Sequence, residues 1–321
     1  MRAATLVFVG CSVVAAARSA DAQFTRVGTI AGQFDMVKVD GSHLFASAGK
    51  TLTIFDVSTP TAITLLGAFS FPEEIWSFRV VGQDVYVGTN FYGLAVLDVS
   101  TPTAPKLRAS YKTPGQAKAA SPYGTKVVVV DHMQGLVLVD LSTPSRPVSL
   151  GSFFVDGYAR DVVTVGPLAY AVDSPTGFYV LDLSASGPLE PVSTLQSGNG
   201  LRTVDVLFGA DGKTPRGAVL VGNGAVQLYD LSNPRSPAKA GSLRTPGGAL
   251  RVALSGARAY VADAREGLTV VDLASLSEPR IVGSFKTPLI ARDVALAGET
   301  IFIATGGPDG AGDVLVVREA R

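Results

Sequence analysis

Apolar residues along this chain fall into short β-branched runs, such as KVVVV at residues 126–130 and LTVV at 268–271, separated by Gly, Asp, Ser and Pro. Runs this short cannot complete an amphipathic helix, and the breakers between them suit tight turns, so the pattern predicts strands. One run recurs. LTIFD, LAVLD, LVLVD, FYVLD, VQLYD and LTVVD end at Asp56, Asp98, Asp140, Asp182, Asp230 and Asp272, with spacings of 42, 42, 42, 48 and 42 residues. A seventh run, VLVVR, ends at Arg318, 46 residues further on, with Arg in place of Asp.

Each unit has the same internal order. Residues 251–286 read RVALSG, ARAYVADAREG, LTVVDLASLSEPR and IVGSFKTP, which predicts four strands joined by turns. A four-stranded sheet repeated in a ring is a propeller blade, so the expected fold is all-β, a seven-bladed β-propeller over residues 23–321. The seventh unit runs out after its third strand. Phe24-Thr25-Arg26-Val27-Gly28-Thr29-Ile30 matches the outermost strand Pro279–Phe285 at Arg-x-Val-Gly and has no unit of its own before it. This N-terminal strand is therefore expected to finish the last blade and remove the open edge of the ring.

Composition narrows the function classes. The chain is 47% hydrophobic and 17% charged, enough to bury a large core. Its 27 basic and 27 acidic residues cancel, which removes the basic surplus that tracking a phosphate backbone requires, and no nucleic-acid partner is expected. Arg2, the apolar stretch Ala3–Ala17 and Ala20-Asp21-Ala22 read as a secretory signal over residues 1–22, cleaved before Gln23. The stretch is too short to span a bilayer, so no transmembrane segment is expected. The alternative is a lipoprotein box, Phe8-Val9-Gly10-Cys11, acylated at Cys11. Cys11 is the sole cysteine, so the mature chain would hold no disulfide and no thiolate chemistry. The expected setting is secreted or periplasmic, and the expected state a monomer.

The recurrent L-x-V-x-D-[VL]-S, the Pro that follows it and the VGS-type strand resemble the LVIVD repeat family of secreted β-propellers over about residues 24–318. The chain departs from that pattern at GADGKTPRG, which lengthens a hairpin of unit five, and at Arg318. The resemblance implies a fold and an extracytoplasmic setting. It implies no reaction.

Three groups of side chains are candidates for chemistry. The repeated Asp56, Asp98, Asp140, Asp182, Asp230 and Asp272 each end a strand before a turn, where a short carboxylate accepts backbone N–H bonds, so they are assigned a structural role. The links into successive innermost strands contribute Asp35, Trp76, Lys118, Arg160, Asp161, Arg202, Arg251, Arg292 and Asp293 to a channel mouth. They form either a rim that holds an anionic or zwitterionic ligand, or a plug of Arg–Asp pairs, with the adjacent Arg160-Asp161 and Arg292-Asp293 as the obvious partners. Finally, Trp76, Phe91 and Tyr92 belong to one blade and His132 to the next, either as an exposed recognition patch or as a cover over the core.

No cofactor or metal is expected. His43 and His132 lie on different units, and neither a GxSxG elbow nor a glycine-rich phosphate loop is present. Asp309 and Asp313 in Gly306–Asp313 lack the further carboxylates of a calcium loop, so that segment is read as a surface turn. The reading that follows is a binding or scaffolding module for a protein or surface polymer, with a lyase or hydrolase using the charged rim as the alternative.

Overall fold

The computed structural model describes residues 24–155, 157–174, 177–184, 188–196, 200–307 and 310–320. The expected signal segment, Cys11 and Asp309 lie outside the described residues. The described chain forms seven four-stranded antiparallel sheets, each running from an innermost strand at the channel to an outermost one at the rim. Blades 1 to 6 occupy residues 36–70, 75–111, 117–153, 158–196, 201–244 and 251–285 in chain order. Blade 7 consists of Ile290–Ala297, Thr300–Gly307, Gly310–Glu319 and, outermost, the N-terminal strand Phe24–Phe34.

The third strands are mostly apolar because both of their faces are buried between neighbours, with Thr53, Gln227 and Thr269 as interior exceptions. In LVLVD, Leu136 and Leu138 enter the core between blades 3 and 4, whereas Val137 and Val139 enter the core between blades 2 and 3. A core of this kind fills each of the seven gaps in the ring. Burial of each such side chain is worth ~1.5–3 kcal/mol, and each is shared between two blades.

The closing strand pairs from Phe24 opposite Glu319 to Phe34 opposite Gly312, interrupted by register shifts between Arg26 and Gly28 and between Ile30 and Phe34. Ile30 and Phe34 are buried in the core shared by blades 7 and 1, where the Phe34 ring meets Phe55 edge-on at 5.8 Å. The Gly32 amide donates to Asp313 Oδ1 at 3.1 Å. The strand continues four residues beyond the sequence match that predicted it, and Ala31, Gly32 and Gln33 are exposed.

Candidate functional site

The two faces of the ring differ in how their residues are held. On one face, Asp56, Asp98, Asp140, Asp182, Asp230 and Asp272 each accept the amide two residues on, at 2.7–2.9 Å. The hydroxyl of Ser184, with its amide and Arg235, holds the Asp182 carboxyl down at about 2. These carboxylates are consumed by turns and face away from the site described next.

On the opposite face each blade's chain turns down into the channel wall, and five innermost strands begin with the same irregularity. Pairing skips one residue between Ile75 and Ser77, Ala117 and Ala119, Ala159 and Asp161, Leu201 and Thr203, and Ala291 and Asp293. The skipped residues are Trp76, Lys118, Arg160, Arg202 and Arg292. A β-bulge inserts one unpaired residue and re-aims its side chain, which is what sends this set to the mouth while Ala117, Ala159, Leu201 and Ala291 stay buried. Asp35 has the matching place in blade 1, its amide donating to Ser47 O at 2.9 Å although Ser47 already pairs with Met36. In blade 6 that place belongs to Leu250, whose amide donates to Ala262 O, so Arg251 lies one step deeper than the other cations.

These residues enclose a cavity of about 410 Å³, lined by Lys118, Arg160, Arg202, Arg251 and Arg292 together with Asp35 and Trp76. Asp35 is the one carboxylate that lines it among the described residues. Arg292 lies 3.7 Å from Asp35 and donates through Nη2 to Gly307 O and Gly310 O at 3.1 Å. Lys118 sits over the Trp76 ring, and neither it nor Arg160, Arg202 or Arg251 has an ion pair among the described residues. Removal from water, reinforced by the neighbouring Arg160 guanidinium, lowers Lys118 to about 8. His132 is lowered for the same reasons, by burial first and then by Lys118 and Arg160. Asp35 is raised by burial, which the Arg292 charge only partly offsets.

A second cavity of about 250 Å³ lies deeper in the channel, with Lys38, Arg79 and Arg251 opposite Asp161, Asp205 and Asp293. Two of its three carboxylates are held by a neighbouring blade. Asp293 meets Lys38 Nζ at 2.9 Å and accepts the amides of Val37 and Val294, while Asp161 accepts the Thr203 hydroxyl and the amides of Val162 and Val204. Asp205 accepts the Val206 amide and is raised by loss of water, with Arg79 opposing that shift. Arg160 and Asp161 therefore do not pair with each other, and neither do Arg292 and Asp293. Each pair straddles the bulge, which sends the cation to the mouth and the carboxylate to its neighbour's backbone.

The aromatic candidates separate as well. Trp76 and Phe91 are exposed, whereas Tyr92 is half-buried against the core between blades 1 and 2. His132 stacks on Tyr158, with centroids 4.9 Å apart and planes within 10°, and the Arg160 guanidinium carbon lies 5.9 Å from the Tyr158 centroid. Sequence reasoning missed Tyr158, which opens the innermost strand of blade 4, and the exposed Phe154 in the link before it. It also missed buried Asp131 and Asp263, which end second strands. Asp131 accepts the amides of Gly115, Met133 and Gln134, tying the blade 3 turn to the link before it. Asp263 does the same through Gly247 and Thr245. Their recurrence one strand before the LxVxD runs was the available signal.

The turn glycines explain the close approach on this face. Gly135 has φ +78°, and a Cβ there would collide with the Phe153 carbonyl oxygen, so the turn and the outgoing strand meet at a distance no side chain permits.

The LVIVD repeat description matches residues 31–70, 75–113, 114–155, 156–192 and 246–287. No curated protein sequence matches the chain. Among solved structures, the chain is similar to the crystal structure of the Cps50 (Swd1) beta-propeller domain of Myceliophteria thermophila, with 13% identity, a TM-score of 0.74, and coverage of 92% of this chain and 99% of that one. At that identity the likeness concerns the fold alone.

Proposed function

The chain belongs to the LVIVD repeat family, and from that premise we propose an extracytoplasmic binding module, without a reaction of its own, that seats acidic groups of a protein or surface polymer in the channel mouth. The observation that carries this reading is the imbalance of charge there: five cations converge with one carboxylate lining the same cavity, and four of the cations have no ion pair among the described residues. Cations gathered without counter-charges repel one another, and an anion that enters relieves the repulsion and takes up guanidinium donors in pairs. Asp161 and Asp293 of the deeper cavity are taken up by backbone amides, Thr203 and Lys38, which counts against a lyase or hydrolase that would use them, because a general acid or base needs a proton-transfer position free for substrate. The secreted or periplasmic setting rests on the signal pattern of residues 1–22. The test is calorimetric titration of the mature chain with citrate and with inorganic phosphate at low ionic strength. Saturable binding that weakens with salt and with Arg202→Ala supports the reading, and absence of binding by both anions overturns it.

A further inference from the structure

The mouth is bordered on one side by apolar surface. Trp76, Phe91, Met133, Phe154 and Tyr158, from blades 2 to 4, are between 43% and 66% exposed and all belong to the face that carries the cations. Of the other exposed large apolar residues, Leu65, Leu107, Val148, Leu150, Val192 and Ile281 lie on outermost strands at the rim, and Leu289 lies apart from the group, in the link into blade 7. Scattered residues of that sort are ordinary on a soluble surface, whereas a group on one face beside a charged pocket marks a contact surface. Its composition, aromatic and Met beside Arg, is that of interface centres. Two of the rings are also fixed in place, Trp76 by Lys118 on its face and Tyr158 by His132, so little side-chain freedom remains to be lost on contact.

Resting on the anion reading above, we infer that the occupant of this surface is a polypeptide segment in which carboxylates alternate with aromatic or aliphatic side chains. The carboxylates enter the mouth among Lys118, Arg160 and Arg202, and the apolar side chains lie across Met133, Phe154 and Tyr158. An acidic saccharide fits less well. Its hydroxyls could accept from the cations, but their own protons would find one lining carboxylate, Asp35, which lies beside Arg292. One face each of Trp76 and Tyr158 is already covered, and Met133 and Phe154 give a sugar no hydrogen bond.

Trp76 is the sole tryptophan, so the emission of the intact mature chain reports on the mouth directly. The probes are a capped short peptide alternating Glu with Phe and Leu, the same peptide with Ser for each Phe and Leu, oligogalacturonate, and citrate. The expected result is binding of the apolar-acidic peptide about tenfold tighter than its Ser counterpart, since well-placed apolar contacts contribute at this level. Met133→Ser with Phe154→Ser should erase that tenfold preference and leave citrate affinity unchanged, which also shows that the fold survives. Equal binding of the two peptides, or tighter binding of oligogalacturonate, overturns the inference while leaving the anion reading intact. Failure of citrate and both peptides to bind overturns the anion reading itself, and the inference with it.

Discussion

Lys118 Nζ lies 3.1 Å from the centroid of the Trp76 ring, which joins the bulge residues of blades 2 and 3 across the channel mouth. An ammonium over an indole face is attracted by the ring quadrupole, by ~0.5–2 kcal/mol according to how far it is desolvated. Lys118 thus has an aromatic partner but no ion pair among the described residues, and its charge remains available to a ligand.

Arg160→Ala and Arg202→Ala each remove the guanidinium of an exposed residue that has no ion pair among the described residues. Either change should weaken citrate binding about tenfold, the equivalent of ~1.4 kcal/mol. The melting temperature should stay the same or rise slightly, because each deletion relieves repulsion. Calorimetry and a thermal melt on the same preparations check both parts.

Acidity should tune the mouth. Lys118 loses its proton near pH 8, so anion affinity should fall as pH rises through that value, and Lys118→Met should abolish this step. Below the usual histidine range His132 gains a charge beside Lys118 and Arg160, and affinity should rise further. The stability sign is opposite. Between about pH 8 and the ordinary lysine value of 10.5 the unfolded chain holds a proton that the folded chain has released, so Lys118 makes stability rise with pH across that window. Affinity against pH, with and without Lys118, decides the point.

The closing strand should govern cohesion of the ring. Phe34→Ala empties a buried site packed on Phe55 and should cost ~3–4 kcal/mol. Deleting residues 24–34 should lower the melting temperature sharply, since blade 7 then exposes the ladder of Gly310–Glu319 as a bare edge. A denaturant melt that leaves both variants as stable as the parent would refute the closure.

Asp131→Ala removes the shared acceptor of three amides, those of Gly115, Met133 and Gln134. The expected cost is about 3 kcal/mol, because the amides that stay buried lose their partner. Hydrogen exchange should speed up at those three amides well before it does in the strands of the blade. Unchanged protection there would show that the carboxylate does not hold the turn.

The sheet count, the strand order and the origin of the last outer strand could all be read from sequence, because each rests on a pattern that repeats. A third strand buried on both faces is apolar at most positions, and LVLVD states this directly. The end of the closing strand could not be read, because Ala31-Gly32-Gln33 is exposed and carries no alternation; the chain pairs again only at Phe34. The mouth was harder. Aligning the units brings its cations together on paper, but spacing does not reveal a bulge, and the bulge decides where each side chain points. Arg160 and Asp161 are neighbours in sequence and look like partners, yet one residue left out of the ladder sends them to different places. Blade 6 has Leu250 where blades 3, 4, 5 and 7 have a cation, so counting Arg251 with those puts it one step too high. The contribution of Phe154 and Tyr158 depends on exposure, which no local pattern specifies.

Pairing the N-terminal strand with the C-terminal one has a consequence for the order of assembly. Of the strands of this ring, Phe24–Phe34 is made first and its partner Gly310–Glu319 last, so the closing pair can form only after the other strands exist. Until then six complete sheets and one incomplete sheet must wait like an unfastened bracelet. The entropy of bringing such distant segments together grows only with the logarithm of their separation, so the delay costs time more than stability.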